Sequence, residues 1–279
     1  MKKIIIVCSL LLLFNNSYSQ IISGTVYSSD KKSVSGVIIG VEGQNMGDVT
    51  DERGAFSIDL TGIDKSKNLI AYLGGYEPYK IKTSDYLDNN NHDIILTEKT
   101  VNIEQVILTP QKTTLKNLGE NKKSKIRYCG YDSRKDNALF NEFAIKIKNK
   151  KHIKIKNINI NICDYKIETP INLVFDIYKS DNDLPGESLI NETLLKEIKG
   201  DDIKNNVISL DVSDKNIWVD EDFFVSVRTA NDFNGYVYFS GNIFTFSQKT
   251  YYRVYYGDWK EFSSGVPSIN LDVLVKKIN

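Results

Sequence analysis

Three groups of side chains in this sequence have types and spacings that chemistry could use. The first lies in Gly47–Leu60, GDVTDERGAFSIDL, where Asp48, Asp51, Glu52 and Asp59 fall close together. Oxygen ligands of this kind suit calcium, which takes about six to eight of them. The spacing does not reproduce a calcium loop of alternating acids closed by a glutamate. A turn between two strands fits better, with Asp51 opening it and Gly54 taking a positive φ that residues with side chains avoid. Acids at such a tip stay in water and require no ligand.

The second group is Asp201, Asp202, Asp220, Glu221 and Asp222. A glycosidase holds two carboxylates about 5 to 10 Å apart across the bond it cleaves. Asp-rich loops are equally expected on any β-sandwich, so this spacing alone assigns no chemistry.

The third group is TYYRVYYGDWKEF, Thr250–Phe262. Period-two alternation puts Tyr252, Val254 and Tyr256 on one face and Tyr251, Arg253 and Tyr255 on the other. If the first set is core, the second set, joined by Trp259, forms an exposed aromatic platform with an arginine. Such a platform suits sugar rings or a protein partner. Cross-strand aromatic pairing is the structural alternative. Tyr251, Arg253, Tyr255 and Trp259 are therefore the candidate ligand-binding residues.

Other chemistries lack their signatures. There is no GxSxG elbow, no Gly-rich phosphate loop after a strand, and no cysteine with a plausible histidine base. His92 and His152 are the only histidines, 60 residues apart, and no zinc-type spacing occurs. No catalytic residue, metal site or cofactor is assigned, and the chain reads as non-enzymatic. The run KIKNKKHIKIK carries six lysines between Lys146 and Lys156. Its Ile/Lys alternation suits a solvated hairpin whose lysines resist edge pairing, or else a surface for an anionic glycan or lipid headgroup.

The elements that must position these residues are strands. Segments rich in Ile, Val, Phe and Tyr recur between Gly, Asn, Asp and Ser clusters, and no long stretch of helical periodicity follows the N-terminus. Val37, Ile39 and Val41 share one face, as do Phe56, Ile58 and Leu60. The fold class is all-β. DNDLPG, Asp181–Gly186, reads as a turn carried by Pro185 and Gly186. TPQKTTLKNLGENKKSK, Thr109–Lys125, lacks alternation and reads as a linker in which a short helix over Thr113–Leu118 has room to form.

The N-terminus has a basic MKK, an apolar run of 11 residues and a polar tail with Ser17 and Ser19. This pattern predicts a signal peptide over residues 1–19, too short to span a bilayer core that needs about 20 residues. The remainder carries 34 basic and 36 acidic side chains, which argues against nucleic acid or a membrane surface as general partners. Export permits Cys129 and Cys163 to pair. One disulfide would close a loop of 34 residues and stabilise by roughly 3 to 4 kcal/mol; the alternative is two separately buried thiols. The expected organisation is a signal peptide (1–19), a first domain (20–108), a linker (109–125) and a second domain (126–279). The product is an exported protein of the periplasm or outer cell surface that does not span the membrane after cleavage.

The first domain also carries a resemblance. Gly24 and Val26, then Ser35, Gly36, Val37, Ile39 and Val41, then Thr50, Asp51, Gly54, Phe56 and Ile58, followed by Gly75–Tyr76 and IILTEKTVNIEQVIL, make Ile21–Leu108 similar to the carboxypeptidase regulatory-like domain found at the front of exported Bacteroidota proteins. The resemblance implies a prealbumin-like sandwich of seven strands, in which the TDxxGxF segment is a structural hairpin. The chain departs from the pattern at YLGGY, where a small polar residue is more usual ahead of the glycine-tyrosine pair. No HxxE peptidase motif accompanies the domain. Such domains also precede the plugs of TonB-dependent receptors, but the 171 residues after Leu108 are too few for a plug and a barrel. Much of Phe143–Val275, through Phe175, Ile177, Tyr178, Leu184, Pro185, Gly186, Leu210, Asp211, Val219, Phe223, Phe224 and Val225, is similar to an uncharacterised jelly-roll-like module that follows this domain in related exported proteins. The expected function is binding or assembly with another envelope protein, with carbohydrate binding at a surface glycan as the alternative.

Overall fold

A computed structural model describes residues 20–99, 113–135, 141–243, 245, 248–262 and 265–276. The expected signal peptide lies outside the described residues. Strands dominate what is described, in four sheets.

The first sandwich contains β1 (Ile21–Ser28), β2 (Ile38–Val41), β3 (Gly47–Val49), β4 (Ala55–Asp59), β5 (Asn68–Tyr72), β6 (Tyr79–Lys82) and β7 (Ile94–Leu96). One sheet has the order β4-β1-β7, the other β3-β2-β5-β6. The alternating residues meet between them: Val26, Val37, Ile39, Val41, Phe56, Ile58, Leu60, Leu69 and Ala71 are all buried. Ile38 and Tyr72 lie opposite one another in the β2–β5 ladder and are also buried, so the four-stranded sheet is covered on its second face too. The segment DERG is a turn. Asp51 Oδ1 accepts the backbone N–H groups of Arg53 and Ala55, each at 2.8 Å. Gly54, at φ 74°, donates its N–H to the Asp51 carbonyl at 2.9 Å. Asp48 accepts from the N–H groups of Val49 and Ser57. These carboxylates serve the backbone of the hairpin.

The second sandwich is built from β8 (Thr113–Gly119), β9 (Arg127–Asp132), β10 (Asn141–Ile147), β11 (Ile153–Ile167), β12 (Ile171–Asp181), β13 (Leu184–Ser188), β14 (Leu194–Ile198), β15 (Val207–Asp211), β16 (Trp218–Val219), β17 (Phe223–Thr229), β18 (Gly235–Asn242), β19 (Thr250–Val254), β20 (Lys260–Glu261), β21 (Val266–Pro267) and β22 (Ile269–Lys276). The inner sheet runs β13-β12-β17-β10-β19-β20, with β14 also on β12. The outer sheet runs β21-β18-β11-β22-β8, with β15 and β16 on β11 and β9 on β18. Their facing residues form one core, Phe143, Ile145, Phe175, Ile177 and Val225 from one side against Ile155, Ile158, Val237, Phe239 and Leu271 from the other.

Two local expectations change. Thr113–Gly119, expected within a linker and open to a short helix, is a strand paired with β22 from Asn270↔Gly119 to Lys276↔Thr113. As an edge strand it has little to bury, and Leu115 is 64% exposed, so no hydrophobic alternation marks it. The turn after β12 is carried by Asn182 and Asp183, at φ 47° and 67°, the two-residue loop whose twist matches antiparallel strands. Pro185 and Gly186 lie in β13, and Pro185 pairs with Ser180.

Candidate functional site

The candidate platform sits on β19 and the residues after it. Tyr252 packs against the core of the second sandwich, while Tyr251 and Arg253 face the other way, as alternation requires. That other face is not exposed. Tyr251 is 3% exposed and packs edge-on against Phe224, with Ala144, Tyr178 and Trp259 alongside. Arg253 donates to the buried carboxylate of Glu142 through Nε at 2.7 Å, and its guanidinium lies 4.4 Å from the Trp259 ring centre. Tyr255 takes φ 49°, which ends the alternation, and its ring lies on the β2–β3 hairpin of the first sandwich. A Cβ on Gly47 would stand 2.6 Å from the Tyr255 ring, so this close approach requires glycine. The expected exposed platform of Tyr251, Arg253, Tyr255 and Trp259 is therefore corrected. Its residues pack among themselves and against the first sandwich, because a buried carboxylate on β10 takes the arginine, Phe224, Tyr178 and Trp259 enclose Tyr251, and the first sandwich meets Tyr255.

The network beneath this cover is polar and nearly closed, with about 10 Å³ of free space between Ile38, Tyr72, Asp176, Arg228 and their neighbours. Burial pushes the Glu142 carboxyl up. Arg253, a hydroxyl bond from Ser226, Arg228 and a bond from Tyr178 outweigh it and leave the group below its ordinary value. Asp176 makes no ion pair among the described residues. It accepts from Ser188 at 2.6 Å, from the Ile177 N–H at 2.7 Å and, across the domain boundary, from the Tyr72 hydroxyl at 3.0 Å. Burial dominates there and raises Asp176 to about 7. Four further bonds cross the boundary: Arg228 to the Gly36 carbonyl, Thr193 to the Gly74 carbonyl, Lys99 to the Ile190 carbonyl and the Gly43 N–H to the Tyr256 carbonyl. Val174 and Ala230 of the second sandwich complete the apolar core of the first.

The cysteines are separate free thiols. Cys129 pairs with Phe239 on β18, and Phe239 pairs in turn with Ile162, next to Cys163. β18 thus lies between the two cysteine-bearing strands, and two strand spacings of about 4.8 Å each exceed the reach of a disulfide. Burial raises both thiols, Cys129 well above its ordinary value.

The other sequence candidates are dispersed. Asp220 meets His152, Glu221 lies 3.8 Å from Lys179, Asp222 meets Lys146 at 3.0 Å, and Asp202 accepts the Lys199 N–H. Each of these four acids turns to a different partner. In the lysine-rich hairpin Ile145, Ile147, Ile153 and Ile155 are buried, and Lys146 is held by Asp183 and Asp222. Among the described residues, no three His, Cys, Asp or Glu side chains gather in a way that could hold a metal ion.

An open cleft of about 440 Å³ lies elsewhere, along β9 at the side of the second sandwich. Small-molecule and peptide sites commonly fall in the range of about 300 to 1,000 Å³. One wall is β9 itself with Tyr238 of β18. The other is Phe143, Tyr252 and Phe262. Phe262 packs against Tyr252 at 5.1 Å and Tyr128 at 5.6 Å between ring centres. At the mouth, Arg127 and Lys135 stand 5.0 and 5.4 Å from the Tyr238 ring centre, and the Tyr238 hydroxyl is bonded to Asp132. A two-pronged Arg134 contact, at 2.7 and 2.9 Å, together with that hydroxyl holds Asp132 well below the usual carboxylate range. Arg127 pairs with Asp164. Lys135 has no carboxylate within ion-pairing distance among the described residues.

Of these cleft residues, the sequence singles out Tyr252 as a core residue, Phe262 as the end of the TYYRVYYGDWKEF run and Cys129 as a candidate disulfide partner, and none of them as lining a cleft. The alternation that singled out TYYRVYY is also present in YVYFSG, where it places Tyr236 and Tyr238 on one face, and it was the available signal. No local pattern shows that β9 comes to lie beside them.

Residues 22–108 match the model of the CarboxypepD_reg-like domain family, so the first sandwich is similar to that family over nearly all its length. No curated protein matches the chain.

Proposed function

We propose that this chain is an exported, non-enzymatic binding or assembly protein of the cell envelope that engages another envelope protein through the β9 cleft. In this reading the regulatory-like domain is a prealbumin-like module of the kind common in Bacteroidota. The second sandwich is a jelly-roll-like module, docked rigidly to the first by the buried network. The observation that carries the reading is the cleft. Among the described residues it joins an aromatic lining, a cation without an ion pair and the side of a strand that has a neighbour on its other side only, a combination suited to a protein partner. No helix among the described residues is long and apolar enough to cross a membrane.

The experiment places a photocrosslinking amino acid at Lys135 in the full chain and, as a control, at Glu52 on the distant hairpin. Both are irradiated in native envelopes. An envelope protein crosslinked from position 135 and not from position 52, with no shift in melting temperature across a glycan panel, supports the reading. A glycan that raises the melting temperature of the wild type but not of Tyr238→Ala replaces it with carbohydrate binding. The rings of Tyr238 and Tyr128 in an open cleft favour that second reading.

A further inference from the structure

The backbone of β9 adds an observation that the cleft's side chains do not supply. Among the described residues the strand pairs with β18 alone, in a register that runs Tyr236↔Asp132, Val237↔Tyr131, Tyr238↔Gly130. Just past its end, the Ser133 N–H donates to the Gly235 carbonyl at 3.0 Å. In an antiparallel ladder, hydrogen-bonded and non-hydrogen-bonded pairs alternate. Ser133 and Tyr131 therefore direct their backbone groups toward β18, while Gly130 and Asp132 direct their N–H groups away from it, into the cleft. The Asp132 carbonyl is taken by the Lys135 N–H at 3.1 Å; the Gly130 carbonyl and the two amides have no partner among the described residues and remain along the edge. Gly130 also projects no side chain there. A Cβ at this position would lie 2.1 Å from the Val237 carbonyl oxygen of β18, so the close approach of the two strands requires glycine.

An unpaired strand edge is a template for another strand. Natural edges are commonly blunted by charge, by proline or by a covering loop; among the described residues this one is fronted by the rings of Tyr128, Phe143, Tyr252 and Phe262, with Arg127, Asp132 and Lys135 beside them. A strand laid against β9 would extend the outer sheet. Its alternate side chains would descend onto these rings between the two sheets, and the opposite set would face solvent. The charge at the mouth then selects among strands. Arg127 is neutralised by Asp164 and Asp132 by Arg134, which among the described residues leaves Lys135 as the charge beside Tyr238 without an ion pair and favours a carboxylate on the incoming segment.

We propose that β9 is a strand-addition site for an extended segment of a partner protein, with apolar residues at alternate positions and an acidic residue near Lys135. This rests on the protein-binding reading of the same cleft and specifies its chemistry.

The test uses the full chain and an arrayed library of labelled octapeptides with Val, Ile or Phe at alternate positions and a glutamate at one end, read by fluorescence anisotropy. A subset is expected to bind. For the tightest binder, N-methylation of the alternate amides that face β9 should abolish binding, while N-methylation of the other set should leave it unchanged. Exchange of the Gly130 and Asp132 amide protons should slow on binding. Lys135→Glu, a surface change that leaves the melting temperature in place, should weaken binding about tenfold or more at low salt and flatten its salt dependence. No binding by any peptide, or equal binding by both N-methylated sets, overturns strand addition. If crosslinking from position 135 still yields a partner, protein binding survives while strand addition falls. If crosslinking gives none and a glycan shifts the melting temperature, both readings fall together.

Discussion

Replacing Arg253 with methionine would leave the Glu142 carboxylate buried without its cation. Removing one partner of a buried pair costs about 3 to 5 kcal/mol. Urea unfolding of Arg253→Met is expected to show a loss of that order, and the double variant Glu142→Leu/Arg253→Met should recover part of it, since the buried charge is gone while the Tyr178 and Ser226 hydroxyls lose their acceptor. Equal losses in single and double variants would mean that the charge pair contributes nothing beyond packing. Tyr251 and Arg253 point to the side that alternation assigned them. What the residue pattern did not contain is the layer lying over that side: period two separates two faces of a strand and says nothing of what covers either. The same limit applies to Cys129 and Cys163, whose separation in sequence is compatible with a bridge and whose placement either side of β18 is not.

β11 organises the outer sheet. Its first half pairs with β22 on one side and β15 and β16 on the other, and its second half pairs with β18. The solvent side of this strand cluster is tied by amides. Asp272 accepts from Asn117 at 3.0 Å, Asn159 at 3.0 Å and Asn157 at 3.4 Å, and Ser209 donates to Asn159. Asp272→Ala is expected to cost about 1 to 3 kcal/mol, the range for losing charge-assisted hydrogen bonds, read as a lower midpoint in urea at unchanged slope; an unchanged midpoint would show that water replaces the carboxylate. Strands with a buried face were legible from sequence, because Ile, Val and Phe at every second position record that face. β8 was not legible, because its stability comes from the ladder with β22 and its side chains are mostly in water. The turn after β12 was displaced by a few residues for a related reason. Asn and Asp can adopt left-handed conformations, and Pro185 and Gly186 beside them are louder turn signals.

At the scale of the whole chain, the two sandwiches share a buried seam in which Asp176 and Tyr72 meet. Burial holds the folded Asp176 pKa at about 7, above its unfolded value of about 4. The native state therefore holds more protons than the unfolded state between these limits, so stability falls as pH rises from about 4 to about 7 and is level beyond. Glu142 has the opposite sign, and its contribution is lost only below the ordinary carboxylate range, so urea unfolding between pH 5 and pH 8 lies above it; burial raises Asp48 in the same direction as Asp176, and comparison with Asp176→Asn separates the two. The wild type should lose stability across that window, and Asp176→Asn should be flatter; parallel slopes would assign the dependence to other groups. A second measurement addresses the seam directly. Calorimetry at pH 5 should show one transition for the wild type, and Arg228→Ala, which removes the bond to Gly36, should separate it into two. Nothing in the sequence marks this seam, since Ile38, Gly47 and Tyr72 are ordinary strand residues until the other sandwich is set beside them. The front module is consequently not portable: grafted onto an unrelated carrier, it would arrive with a bare greasy flank and a phenol lacking its acceptor, so recombination between proteins must move both halves of the junction together.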